Sequence, residues 1–413
     1  MKGTLIVSSK QPVSLWRNLD YLLLWGGQTI SNVGTGVSTI AYPLLVLAVT
    51  GSPAQAGFIS AARALIYAIL VLPAGALVDR WDRKQAMIIC DLGRALSLGS
   101  IALAAALGHL TLPLLYVTSM VEVTLGTFFN IAEVSCLPQV VAREQLPSAM
   151  GRVQATDGIA TLLGPPLGGV LFSMRALLPF LADALSYVVS VASLFFIRTS
   201  FQEQRSMKAR RIHEEIVEGL RWVWRQPLIR AMAFITGVNV FCGAGYILII
   251  IVIAQLQHAP DSVIGLIFGI GGVGGILGSL LVGPVQKRLS FAQIIVGTLW
   301  LTVVFWFALV ALPGPILLGL ITAALLFITP FYNAVYIGYR LALTPDALRG
   351  RVNSVARLIA FGFSPLGLAL TGISLQYAGA RITVLLAVGV QVILAVVAMA
   401  NSSIRRARPL AET

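Results

Sequence analysis

Long apolar runs separated by short polar breaks recur along this chain from residue 20 to residue 401. Nearly every position within a run is apolar, which fits neither the alternation of a half-buried strand nor the one-sided stripe of a surface helix. As helices, runs of about 20 residues cross the ~30 Å of a bilayer's hydrocarbon core. The pattern predicts spans over 20–49, 54–78, 85–107, 112–138, 150–172 and 178–197, then over 228–254, 262–283, 291–311, 316–340, 351–375 and 382–401. Hydrocarbon offers backbone groups no partner, so helices must satisfy them internally; a membrane barrel would show short alternating segments instead. The predicted fold class is an all-α polytopic membrane protein, with 12 transmembrane helices in two six-helix bundles.

Composition agrees. Residues are 57% hydrophobic and 11% charged, against roughly 25% charged in soluble domains. The net charge of +13 would suggest a nucleic-acid surface in a soluble protein, but its placement explains it otherwise. Of the 29 Lys and Arg residues, only Arg175 and Arg381 fall in loops on one side, and only Arg63, Arg94 and Arg357 fall inside spans. The remainder lie on the opposite side, which the positive-inside rule makes cytoplasmic. Both termini are therefore expected in the cytoplasm, in a multi-pass protein of the plasma (cytoplasmic) membrane. The N-terminal stretch predicts no cleavable signal. Cys90, Cys136 and Cys242 all lie in spans, so neither a disulfide framework nor a metal site is expected. No polar segment is long enough for a catalytic domain, so the chain is not expected to be an enzyme, and no cofactor or nucleic-acid partner is implied.

The longest charged segment, 198–227, divides the spans six and six. Gly151-Arg152-Val153 has a counterpart in Gly350-Arg351-Val352, and Pro166-Leu167-Gly168 in Pro365-Leu366-Gly367, each 199 positions on. Gly57 and Arg80 match Gly265 and Arg288, each 208 positions on. Shared spacing argues for an internal duplication. The expected domains are 1–197, 228–413 with its short tail, and a linker between them. Within the linker, Ile212, Ile216, Leu220, Val223 and Trp224 fall at helical spacing opposite Glu214, Glu215, Glu218 and Arg221. That pattern predicts an interfacial helix on the inner leaflet, or a partner-binding one.

Between the second and third spans lies GALVDRWDRK, residues 75–84. This segment resembles the loop signature of the major facilitator superfamily, G-x-L-x-D-R-x-G-R-K. Gly75, Leu77, Asp79, Arg80, Arg83 and Lys84 match, while Asp82 replaces the second glycine. The six-plus-six layout and long central loop extend the resemblance over the whole chain. In that family the loop acts as a gating latch. Here Asp79 could meet the positive N-terminus of the eleventh span, near Arg351, and Glu133 would serve as counter-charge to Arg83.

The fifth span, too, matches a family pattern. Gly151, Ala160, Gly164, Pro165, Gly168 and Gly169 fit G-x8-G-x3-G-P-x2-G-G, with alanine at the second glycine. The family associates this motif with exporters that exchange cargo for protons. Small residues four apart also let a second helix approach closely, whatever the direction of transport.

Ionisable residues inside spans cost ~3 kcal/mol or more unless they meet water or a partner. Glu122, in the fourth span with no obvious charge beside it, is open to three readings: proton or cation coupling, direct substrate contact, or a structural partner. Asp157 is a second candidate for proton coupling. It stands nearly at the repeat position of Arg357, which suggests an Asp157–Arg357 ion pair. Arg63 could attract an anionic substrate group. Asp183 reads as an interfacial residue near the outer end of span six, and Asp91 with Arg94 as a structural i, i+3 pair. Gln28, Asn32, Asn239, Tyr246, Asn333 and Tyr336 are the remaining candidate substrate contacts.

Together these readings predict a monomeric, proton-coupled exporter of hydrophobic or amphipathic small molecules, with protons and the lipid bilayer as its other partners. CDLGRAL (90–96) and LRGRVNSVARLIAFGFSPLG (348–367) look like the macrolide-efflux and enterobactin-exporter branch, so an antibiotic or a siderophore is the implied cargo. No GxxxxGK[ST] motif is present. The competing readings are a facilitator of lysophospholipid or a metabolite without proton coupling, and a non-transporting sensor or scaffold.

Overall fold

The structure is a computed structural model that describes residues 14–199, 201, 212–345, 348–405 and 407. The basic residues before position 14 and most of those in the linker and tail lie outside that set. Among the described residues every regular element is helical. The first six long helices are α1 (Leu19–Thr50), α2 (Pro53–Val78), α3 (Arg83–Ala106), α4 (Leu112–Val140), α5 (Leu146–Met174) and α6 (Leu178–Phe196). After the linker helix α7 (Ile212–Arg225) come α8 (Pro227–Gly243), α9 (Tyr246–Leu256), α10 (Asp261–Gln286), α11 (Phe291–Leu309), α12 (Pro315–Leu343), α13 (Arg349–Gly362), α14 (Ser364–Tyr377) and α15 (Gly379–Ala400). Eleven of the segments, counting α8–α9 and α13–α14 each as one, are long and apolar enough to cross a membrane. The twelfth, α5, is 29 residues long but carries Arg152, Asp157 and two interior prolines.

Local chemistry sets the helix ends. Asn18 and Ser52 accept from the backbone N–H of Tyr21 and Gln55 to cap α1 and α2, satisfying donors that the first turn leaves orphaned. Asp82, the residue that departs from the loop signature, is the N-cap of α3: its Oδ1 accepts from Gln85 N at 2.9 Å. In the second half Ser290, 208 positions on like the Gly57–Gly265 and Arg80–Arg288 pairs, caps α11 through a reciprocal bond with Gln293. The internal repeat therefore extends to the capping chemistry.

Two predicted spans are not continuous. The seventh breaks between α8 and α9 at Ala244-Gly245, and the eleventh between α13 and α14 at Phe363, just before Pro365. Proline has no N–H to continue the ladder. Span five runs unbroken despite Pro165 and Pro166. Three of its five glycines, Gly164, Gly168 and Gly169, face other backbones. A Cβ on Gly164 would lie 2.6 Å from Gly36, and one on Gly168 would lie 2.5 Å from the Val37 carbonyl, both on α1.

The two bundles touch through a pair of repeat-related crossings. On α2 and α14, a Cβ on Gly57 would sit 2.7 Å from the Gly372 Cα; on α5 and α10, one on Gly265 would sit 2.9 Å from the Gly169 Cα. Both contacts lie at the ends of the spans remote from the termini. Toward the terminal side α2 and α13 diverge, leaving a gap of about 170 Å³ lined by Tyr67, Val71, Arg357 and Phe361. The crossings close one face, whereas packing between the bundles is looser toward the face that carries the basic loops.

The linker helix forms as expected, but it is not only an interfacial element. Val223 is buried against Val352 and Val355 of α13, and Glu218 pairs with Arg351. Leu220 and Trp224 remain exposed.

Candidate functional site

A row of cavities that share lining residues follows α1. The first, at the terminal-side half of the N-terminal bundle, holds about 50 Å³ and is lined by Trp25, Gln28, Asn32, Glu133 and Thr156. Asn32 also borders the second, about 310 Å³, between the bundles: Thr35, Thr39 and Asp157 form one wall, Tyr246, Ile247 and Phe268 the other. Thr35, Thr39 and Ile247 continue into a third of about 200 Å³ beside Arg63. On the wall of the C-terminal bundle a fourth, about 690 Å³, is lined by Asn333, Tyr336, Arg340 and Arg357 among others. Volumes of roughly 300–1,000 Å³ are usual for sites that hold a small organic molecule, so the second and fourth qualify.

Beside this path the N-terminal bundle holds a buried charge network. Glu122 forms an ion pair with Arg63 and lies 3.2 Å from Arg94 Nη2; the other terminal nitrogen of Arg94 meets Asp91 at 3.4 Å. Arg94 also donates to Tyr187 Oη at 2.5 Å and stacks over that ring, while Ser38 donates to Asp183 at 2.5 Å. Spans one, two, three, four and six are joined by these contacts. Charges withdrawn from water are costly singly and tolerable only when matched like this.

Several expectations change on this geometry. Glu122 is not an isolated acid: Arg63 and Arg94 come to it from helices the linear pattern could not pair, so it is an ion-pair hub. Arg63 borders a cavity, but its charge is already matched by the Glu122 carboxylate and it also donates to the Ser119 carbonyl, so it presents no unmatched charge to an anion. Asp183 is fully buried rather than interfacial, because Ser38 and Ser186 supply donors to its carboxylate. The Asp157–Arg357 ion pair does not form. Asp157 accepts from Asn32 Nδ2 at 3.2 Å, and Arg357 sits across the gap on the other bundle. Glu133 does not serve Arg83 either. Arg83 donates to Asp79 at 3.1 Å and to the Ser135 carbonyl at 3.2 Å, whereas Glu133 faces the first cavity, with no hydrogen bond or ion pair among the described residues.

Other expected residues fall as follows. Asn32 and Tyr246 border the second cavity, and Asn333 and Tyr336 the fourth. Gln28 lies in the first, its amide nitrogen donating to Ser190. Asn239 instead accepts from Gln391 at 2.9 Å, tying α8 to α15. In the loop, Lys84 donates to the Ile197 carbonyl at 2.7 Å, Arg80 is exposed, and Gly75 has open space around it. Asp79 rests on Arg83, not on the start of α13, where Arg351 is paired with Glu218. On α5, Gly151 has open space and Ala160 is buried, its carbonyl 2.7 Å from where a Gly36 Cβ would stand; Gly164, Pro165, Gly168 and Gly169 lie at crossings with α1 and α10. Nothing in the linear pattern marks Arg340, which reads there as one more basic residue near the end of a span.

The repeat, the loop and the helical bundles agree with a match over residues 24–252 to the profile of the Major Facilitator Superfamily. The chain belongs to this superfamily. Its fold is similar to that of the crystallised nucleoside transporter NupG, D323A mutant, with a TM-score of 0.79 over 93% of this chain and 99% of that one at 13% identity. Among similar proteins, the multidrug efflux pump Tap of Mycolicibacterium fortuitum is 27% identical over 384 residues, covering 88% of this chain and 91% of Tap. Macrolide efflux protein A of Streptococcus pyogenes is 28% identical over 186 residues, 44% of this chain and 45% of that protein. The protein is a multi-pass membrane transporter of small molecules.

Proposed function

We propose that this transporter is a secondary exporter of hydrophobic or amphipathic small molecules, exchanging cargo for protons by alternating access. The observation that carries the reading is the cavity between the bundles, closed at one face by glycine crossings and bordered by Asp157, a carboxylate with no cationic partner among the described residues. The efflux pumps among the relatives support an antibiotic-type cargo, with a siderophore as the second class. Asp157 is the carboxylate we assign to proton exchange, with Glu133 next along the same path, and Glu122 holds the bundle's charges in register. The bodies that rock are 1–197 and 228–413, joined by 198–227, in a monomer whose termini lie in the cytoplasm. When the looser face closes, α2 nears α13. Asp79 then exchanges Arg83 for the N-terminus of α13 and latches that face.

Proteoliposomes with a trapped pH-sensitive dye test the coupling. Addition of a transported drug should release protons in the wild type and none in Asp157→Asn, while drug binding persists. Drug flux without proton movement in the wild type would refute proton exchange. An efflux-deficient host challenged with macrolides, dyes and siderophores identifies the cargo class.

A further inference from the structure

The fourth cavity concentrates positive charge outside the charge network of the N-terminal bundle. Arg340, Arg349 and Arg357 line it, and none of its described lining residues is acidic. Arg340 is only 6% exposed, yet among the described residues it pairs with no carboxylate. Its Nη2 donates to Asn353 Oδ1 at 2.7 Å and its Nη1 to Tyr336 Oη at 3.2 Å; the guanidinium stacks over the Tyr336 ring, and its buried Nε has no partner. Two neutral acceptors do not offset removal of a cation from water. A basic residue whose sole task is topology can stay in solvent, whereas this one is buried and held in a fixed orientation. Arg357, about two turns into α13 at ~3.6 residues per turn, is exposed to the same space with no hydrogen bond or ion pair among the described residues.

We propose that this cavity is an oxyanion subsite, taking the carboxylate, sulfonate or phosphate group of an amphipathic ligand on Arg340, with Arg357 as the second cation. A guanidinium fork matches two oxygens of such a group, and charge-assisted bonds are the strong ones. The group could belong to the cargo or to a phospholipid headgroup entering from the looser face; calling the ligand cargo rests on the export reading, while binding of the anion does not.

The test uses the purified full chain in phosphatidylcholine nanodiscs and two fluorescent probes, 11-(dansylamino)undecanoic acid and its methyl ester. The wild type should bind the acid at least about tenfold more tightly than the ester, in line with a hydrogen bond to a charged group. Arg340→Gln and Arg357→Gln should bring the acid to the ester's affinity and leave the ester unchanged. Arg357 is exposed, so its variant keeps the test valid if Arg340→Gln misfolds. Arg340→Lys, which keeps the charge but loses the fork, should fall between. Equal affinities in the wild type, or a preference for the acid intact in Arg357→Gln, would overturn the subsite. In nanodiscs containing phosphatidylglycerol, loss of acid binding, with native mass spectrometry finding that lipid on the wild type and not on the variants, assigns the oxyanion to the headgroup. Undiminished acid binding there assigns it to the cargo. Ethidium export from proteoliposomes separates the two proposals: no export with arginine-dependent acid binding intact ends the export reading alone, and export without that dependence ends the subsite alone.

Discussion

The glycine crossings make a quantitative prediction about conformational balance. Replacing Gly265 by alanine puts a Cβ 2.6 Å from the Pro165 carbonyl oxygen and 2.9 Å from the Gly169 Cα. Carbon atoms prefer ~3.5–4.0 Å, and both obstacles are backbone, which no rotamer change can clear. The two helices must part by about 1 Å, and overpacking of this size costs roughly 1–3 kcal/mol. That cost falls only on conformations in which α5 and α10 touch; a state with this face open does not incur it. At ~1.4 kcal/mol per factor of ten, the equilibrium should shift about 5- to 150-fold toward the state open at the face remote from the termini. Gly57→Ala should act in the same direction at the α2–α14 crossing, where its Cβ would meet the Gly372 Cα at 2.7 Å and the Leu368 carbonyl at 2.8 Å. Spin labels at Leu107 and Tyr377, both exposed and on opposite bundles at that face, read the separation by double electron–electron resonance. The three native cysteines are buried, which limits background labelling. A short distance in the wild type should give way to a longer one in Gly265→Ala, and further in the double variant. An unchanged distance distribution in both single variants would refute the claim that these crossings close the face.

Other expectations are as direct. Glu122→Gln leaves the buried Arg94 and the half-buried Arg63 guanidiniums short of their shared anion, and loss of one member of a fully buried group costs about 3–5 kcal/mol, an upper bound here; the melting temperature by fluorescence-detected size exclusion should fall below that of Asp157→Asn, and equal values would remove the hub. Asp82→Ala should cost about 1 kcal/mol of helix capping, and Asp82→Gly only a few tenths, so thermal melts should rank the wild type, Gly and Ala in that order. Asp79→Ala should insert normally and transport slowly; wild-type turnover would dismiss the latch.

Much of this architecture is legible along the chain because it depends on local pattern. Hydrophobic length predicts the spans, and the 208-residue offset that relates Gly57 to Gly265 picks out the two glycines that lie at the crossings between the bundles. The breaks in spans seven and eleven are not local in origin: Gly245 packs against Thr371, and Pro365 follows the interruption at Phe363. The candidate site divides along the same line. Asn32, Asp157 and Tyr246 can be singled out as polar or aromatic residues within apolar runs. The partners of Glu122 cannot, since Arg63 and Arg94 reach it across three helices and like charges in separate spans carry no sign of sharing an anion. Proximity to the loop in sequence pairs Glu133 with Arg83, whereas the helix turns its carboxylate toward a cavity. Arg340 escapes notice because a basic residue near a span end already has an explanation in topology.

The distribution of breaks and bonds also divides mechanical roles between the bundles. Charged contacts bind spans one, two, three, four and six of the first half into one frame, whereas the second half has its two helical interruptions on spans that border the path. On the alternating-access reading, the first bundle would act as a stator and the second as the compliant partner, with Gly245 and Phe363 as its joints. Strain from a bulky cargo would be absorbed on one side only, which lets a single rigid charge frame serve ligands of unequal size.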